Sequence, residues 1–133
     1  MPSTNIEIIK TVYAAFAAGD GPAAFAHMDP AIIWNEAENF PYADRNPYIG
    51  PGAIGEGVFF RLATEWDNFK VVPAELIDGG DSIVSLGRYT GTFKATGKPI
   101  DAQFVHVFRL ANGKVTRFQQ YTDTAQAQAA IKA

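Results

Sequence analysis

The sequence predicts an α+β fold in which N-terminal helices are followed by a curved antiparallel sheet that wraps around them. Three observations carry this. Apolar residues recur at helical intervals through the first third of the chain, the period changes to two from Phe69 onward, and the strand-like runs are separated by dipeptides that favour tight turns.

Thr4 and Glu7 have capping-box spacing, and Ile6, Ile9, Tyr13 and Phe16 then repeat along one helical face until Gly19 stops the run. Asp20 and Pro22 start a second, shorter helix through Phe25 and Met28, which the Asp29-Pro30 step ends. Residues 31–38, AIIWNEAE, read as a strand. A third helix follows from Ile54, Val58, Leu62 and Trp66, spaced by four, with Gly55 and Gly57 weakening its first turn. Beyond it the turns at 78–81 (DGGD), 96–99 (TGKP) and 112–113 (NG) delimit a meander of strands, the last turn being the strongest hairpin signal. The ending TAQAQAAIKA reads as a short helix or a frayed tail. The whole of residues 1–133 reads as one domain, without repeat or linker.

The 133 residues are 47% hydrophobic and 19% charged, enough apolar content to bury a core. The net charge of -3 comes from dispersed residues, and no Lys/Arg stripe matches a phosphate backbone, so nucleic acid is not an expected partner. Cysteine is absent, which removes disulfides and thiolate chemistry. No run approaches the ~18 apolar residues of a membrane span, and the cytoplasm is the expected location. No metal-ligand spacing, phosphate loop or nucleophile elbow occurs, so the expected chemistry needs no metal and no cofactor.

The stretch from 87 to 124 carries the main chemical signal. His106 shares a strand face with Phe104 and Phe108, which points an imidazole into an apolar interior. It reads either as a core histidine satisfied by a neighbour or as an acid, base or donor in a cavity. Tyr89 shares a face with Ser85, Gly87 and Gly91, and Gln120 with Phe118 and Thr122, so both turn inward. The glycines around Tyr89 leave room for a ligand or for strand curvature. An inward Gln120 amide must find His106, a water or a ligand as partner, because a buried amide left unpaired costs about 1–3 kcal/mol. On the first strand, strict pleating has Ile33, Asn35 and Ala37 lining the pocket and Glu36 and Glu38 facing away. A bulge at the following loop would turn Glu36 inward, where burial would raise its proton affinity and make it the general base opposite His106. That loop, residues 39–52, holds three prolines and three aromatics without periodicity. Phe40, Tyr42 and Tyr48 either rim the core or form a flap over the pocket mouth. Arg88 and Arg109 fall on the opposite strand face from the pocket, Trp34 and Trp66 read as core or interface aromatics, His27 as a surface residue, and Asp101 and Asp123 as strand-end or cap residues.

With YAAFAAGD closing the first helix and HVFRLANGKVTRFQQYTD forming the last hairpin, the chain resembles the SnoaL-like branch of the nuclear transport factor 2-like (NTF2-like) superfamily over nearly its whole length. The resemblance implies a cone-shaped, cystatin-like α+β barrel with a deep apolar pocket, a homodimer joined through the outer face of the sheet, and a small hydrophobic molecule as partner. The family includes ketosteroid isomerases, polyketide cyclases and dehydratases, so it implies no single reaction. Laid against the isomerases, His106 occupies the place of a protonated acid that donates to an oxyanion. The isomerase base position falls on Asn35, which cannot act as a base, and the oxyanion tyrosine position on Val12, beside Tyr13.

Two functions follow. One is an enzyme moving a proton on a hydrophobic carbonyl- or hydroxyl-bearing metabolite, as an isomerase, cyclase or dehydratase, with His106 and Glu36 as catalytic candidates and Asn35, Tyr89, Gln120, Tyr13 and Phe104 as binding candidates. The other is a binding module that uses the same pocket without catalysis.

Overall fold

The computed structural model describes residues 4–133. Its six-stranded sheet has the order β2-β1-β6-β5-β4-β3, with strands β1 (Met28–Asn35), β2 (Tyr48–Ile49), β3 (Trp66–Asp78), β4 (Ser82–Phe93), β5 (Pro99–Ala111) and β6 (Lys114–Thr122). The last four run as the antiparallel meander that the turn signals predict. The β5–β6 hairpin closes on Asn112 and Gly113, both at positive φ, the backbone that a tight primed turn requires. One pairing departs from a purely antiparallel sheet: β1 lies parallel to β6. Register shifts along the β3–β4 pair, between Asp67 and Lys70 and between Pro73 and Glu75, add curvature to this end of the sheet.

Helix α1 (Thr4–Ala17) and the short α2 (Gly21–Phe25) form as the sequence indicates. Thr4 already lies within α1, and the residues before it are outside those described. The Asp20 carboxylate caps α2 by accepting from the Ala23 backbone N–H at 3.1 Å. The helix is shorter than expected. Met28 opens β1 instead, and Asp29-Pro30 sits in the irregular stretch between the paired residues Met28 and Ile33, where a residue without an N–H is tolerated.

The third helical segment is broken into α3 (Pro51–Ile54), a π-helical turn (Gly55–Phe59) and α4 (Phe60–Glu65). Ile54, Val58 and Leu62 are buried on one side as their spacing requires, but Trp66, fourth in that series, is the first residue of β3. Within 39–52 the chain makes a 3-10 turn over Pro41–Arg45 and the short strand β2. Phe40, Tyr42 and Tyr48 are all buried, so these aromatics pack the core. The C-terminal residues form helix α5 (Thr124–Ile131), capped by the Asp123 carboxylate on the Gln126 N–H at 3.1 Å, and the helix buries Ala127 and Ala130. No described helix is long and apolar enough to cross a membrane.

Candidate functional site

Burial along β5 alternates without interruption: Ile100, Ala102, Phe104, His106, Phe108 and Leu110 face the helices, and the intervening residues face outward. In register beside His106 stand Ser85 on β4 and Gln120 on β6. Tyr89, also inward on β4, reaches back toward the imidazole, and Tyr13 approaches from α1.

These residues form one chain of polar contacts. Tyr13 Oη lies 2.7 Å from His106 Nδ1, and Tyr89 Oη makes a short contact with His106 Nε2. The Ala37 backbone N–H donates to Gln120 Oε1 at 3.0 Å, which turns the other end of the amide, Nε2, toward Tyr89 Oη at 2.9 Å. Because Ala37 can only donate, the orientation of Gln120 is settled. Tyr89 Oη therefore accepts from Gln120 and has its own hydrogen for His106 Nε2. On this assignment Nδ1 carries the imidazole proton and donates to Tyr13 Oη, leaving the Tyr13 O–H, on the cavity wall, free to donate to another acceptor. Burial pushes the His106 pKa down to about 3, so the ring is neutral at ordinary pH. Burial also raises the pKa of both tyrosines, keeping each a hydroxyl rather than a phenolate.

The inward residues along β1 and just past its end are Ile32, Trp34 and Glu36, the reverse of the parity expected from the sequence. The pairing with β6 decides it. Trp34 is in register with Phe118, and their rings stack with centroids 3.7 Å apart on the inner side. Residue 36 follows on that side by the period of two, without any bulge. Asn35 pairs with Gln119 and lines the outer clefts with Gln119 and Tyr121, so its placement in the pocket is corrected. Ile33, paired with the exposed Ile49, is likewise outward, while Ala37 is buried beyond the end of the strand.

Glu36 is 3% exposed. Its Oε2 accepts from the Trp34 indole N–H at 3.2 Å, and its main chain is held by Asn46, whose Oδ1 accepts from the Glu36 N–H at 3.0 Å while Nδ2 donates to the Glu36 C=O at 2.8 Å. Burial pushes the carboxyl pKa up to about 8, against the smaller opposing effects of the Trp34 bond and the Arg61 charge.

Glu36, Tyr13, Tyr89, His106 and Gln120 all line one inner cavity, otherwise walled by apolar side chains such as Phe40, Trp34 and Phe118. It offers about 60 Å³ to the centre of a water-sized sphere. Phe104 is not on its wall; its ring stacks on His106 at 4.0 Å and on Tyr89 at 4.6 Å and backs both. The space at Gly87 is likewise taken, since a Cβ there would come within 2.2 Å of the Val72 carbonyl and 2.7 Å of Phe104 Cζ. This glycine serves the close approach of strands rather than a ligand. Arg88 is drawn away on the outer face to Asp101 at 2.8 Å, and Arg109 to Ser82 Oγ at 2.8 Å.

Three contributors carry no signal in the sequence. Ser85 Oγ is fully buried beside His106 and close enough to the Tyr13 hydroxyl to oppose slightly the rise that burial gives its pKa. The Asn46 clamp and the Trp34 indole bond depend on how a loop folds back on the end of β1. Among the described residues, no group of three His, Cys, Asp or Glu could hold a metal ion.

A SnoaL-like domain model matches residues 9–118. An NTF2-like protein of Burkholderia thailandensis is 37% identical and superposes at a TM-score of 0.94, covering 98% of this chain and 99% of that one. An NTF2-like protein of unknown function from Burkholderia pseudomallei is 29% identical, with a TM-score of 0.88 and coverage of 98% and 99%. TerC, co-crystallised with polyporic acid, is 27% identical, with a TM-score of 0.86 and coverage of 98% and 100%. No curated protein matches the chain.

Proposed function

We propose that this chain, which belongs to the SnoaL-like domain family, binds a hydrophobic molecule bearing a carbonyl or hydroxyl group in the inner cavity and moves a proton on it. The observation that carries this reading is the presence of two complementary groups on one apolar cavity: a carboxyl whose pKa is pushed up to about 8, and a hydroxyl relay ending in Tyr13. A general acid–base group works best with a pKa near the operating pH, and burial has brought Glu36 there. TerC, a chain of similar length and fold, was crystallised with the small organic molecule polyporic acid, which supports a small-molecule ligand here.

A ketone ligand places its carbonyl oxygen at Tyr13 and its adjacent carbon at Glu36. The Tyr13 O–H donates to the carbonyl oxygen. Ionised Glu36 removes a proton from the adjacent carbon, and the C–H electron pair forms the enolate, whose oxygen charge Tyr13 stabilises. As Tyr13 gives up hydrogen density, its oxygen is supported by His106 Nδ1–H. The imidazole is supported in turn by Tyr89 and Gln120. Glu36 then returns its proton to the same or a conjugated carbon. His106 is therefore a positioning and polarising residue behind Tyr13, while Tyr13 and Glu36 touch the ligand. Asn35, on the outer face, has no part in these steps.

The test is α-proton exchange of 2-tetralone in deuterium oxide, followed by NMR. Wild-type protein should accelerate exchange, and Glu36→Gln should abolish the acceleration while keeping its fold. Ligand-induced shifts of cavity resonances with no accelerated exchange would support the binding module instead, a reading favoured by Glu36 being mostly neutral at pH 7. The dimer also belongs to this proposal, with the outer sheet face as the joining surface.

A further inference from the structure

Outside the inner cavity lies a larger cleft of about 430 Å³ between the end of α1, α2, α4 and the start of β3. The two share Phe16, Ala24, Phe59, Leu62 and Phe69 on their walls, so they are adjoining chambers. Phe59, the last residue of the π-helical turn, stands between them. Its ring meets Phe16 edge-on at 5.1 Å, stacks on Phe25 at 5.5 Å and meets Trp34 edge-on at 5.7 Å, reaching from the cleft to the inner wall. The cleft is itself aromatic, with Phe25, Trp66 and the 64% exposed Phe60 on its sides. An exposed phenylalanine beside a concave apolar surface leaves hydrophobic area uncovered that a bound molecule would shield. Asp20 is the one charged residue on this wall.

The inner chamber alone, at about 60 Å³, is well below the roughly 150 Å³ of a dry cavity that takes one benzene ring, so it admits a polar head and at most part of a ring. We infer that the cleft is the outer half of the same ligand site: the ligand is elongated, with one hydroxyl or carbonyl head among Tyr13 and Glu36 and an aromatic or apolar body that passes Phe59 into the cleft. Phe59 is then the residue that decides which ligands can span the two chambers. Asp20 at the rim disfavours a body ending in an anion, since like charges repel in a partly desolvated cleft. This inference rests on the cavity assigned above as the ligand site, but it fixes the shape of the ligand rather than its chemistry.

The experiment compares phenol with 4-phenylphenol, the same head without and with a second ring, by calorimetry. Wild type should bind 4-phenylphenol at least about tenfold more tightly, from the second ring's burial in the cleft. Ala63→Trp places a bulky ring on the exposed side of α4 that faces the cleft and not the inner chamber, and should bring the affinity ratio close to one. Phe60→Ala, a truncation at an exposed position that leaves folding intact, should lower the ratio about two- to threefold. A ratio near one in wild type, or an undiminished ratio in both variants, would overturn the two-chamber site while leaving the inner cavity as a binding site. Failure of wild type to bind either phenol would instead reject the inner cavity itself, and the outer half with it.

Discussion

Glu36 and His106 oppose each other in how they couple folding to pH. The Glu36 carboxyl holds its proton up to about pH 8 when folded and loses it near 4.5 in the open chain, so the folded state binds the extra proton between these values. Its contribution is complete below about 4.5 and is lost as pH rises toward 8. Neutral His106, with its pKa pushed down from 6.5 to about 3, contributes stability that is present above 6.5 and lost as pH falls toward 3. The window from 6.5 to 8 therefore isolates Glu36. There the wild type should lose up to about 1.4 kcal/mol of stability per pH unit from this group, and Glu36→Gln should flatten that slope in urea titrations. An unchanged slope would mean that the carboxyl is not held protonated. At His106, substitution by Phe preserves apolar volume but strands the Tyr89 hydroxyl, and should cost about 1–3 kcal/mol. Tyr89→Phe should cost less in that background than in the wild type, because its bond to His106 is already gone. Simple additivity of the two changes would deny the contact.

At the scale of elements, the π-helical turn is the part of the helical layer that only glycine permits. A Cβ on Gly57 would come within 2.2 Å of Tyr48 Cε1, and that ring is itself buried and bonded to the Tyr42 carbonyl. Gly57→Ala should therefore destabilise the protein by about 1–3 kcal/mol through overpacking. Gly52, in α3, has open space where its Cβ would stand, so Gly52→Ala should stabilise by about 0.5–1 kcal/mol. Thermal melts of the two variants should move in opposite directions. Movement in the same direction would show that the Tyr48 contact is not what fixes the turn. The spacing of Ile54, Val58 and Leu62 made this segment legible as helical, but it could not show where the helix ends. Trp66 continues the spacing of four, yet its indole N–H bonds the Tyr42 hydroxyl at 3.0 Å and its backbone pairs with Phe93, which draws it into β3.

For the whole molecule, the outer face of the sheet is the surface left to explain. Val105 and Val107 on β5 are only half-buried, and Tyr121 on β6 is 57% exposed. On the reading that two copies join through this face, light scattering at micromolar concentration should give twice the 14.4 kDa chain mass. Tyr121→Glu, which leaves the inner cavity untouched, should shift the protein toward monomer. A monomeric wild type would remove the dimer from the proposal without affecting the cavity.

The sequence by itself determined the helices-then-sheet order, the meander and its turns, and the inward facing of Tyr89, His106 and Gln120. These follow from local chemistry, in turn dipeptides and in a strand where one face is plainly apolar. It did not determine the parity of β1, because Ile32, Ile33 and Trp34 make both faces of that strand apolar and leave the period of two without a phase. Only the parallel pairing with β6, which stacks Trp34 on Phe118, turned Glu36 into the cavity and Asn35 out of it. The Tyr13–His106–Tyr89 relay was equally a tertiary decision. Its members lie 93 and 17 residues apart in the chain, and hydrogen bonds over such separations are set by how α1 docks on the sheet and by the register of β4 on β5, neither of which leaves a mark in local spacing.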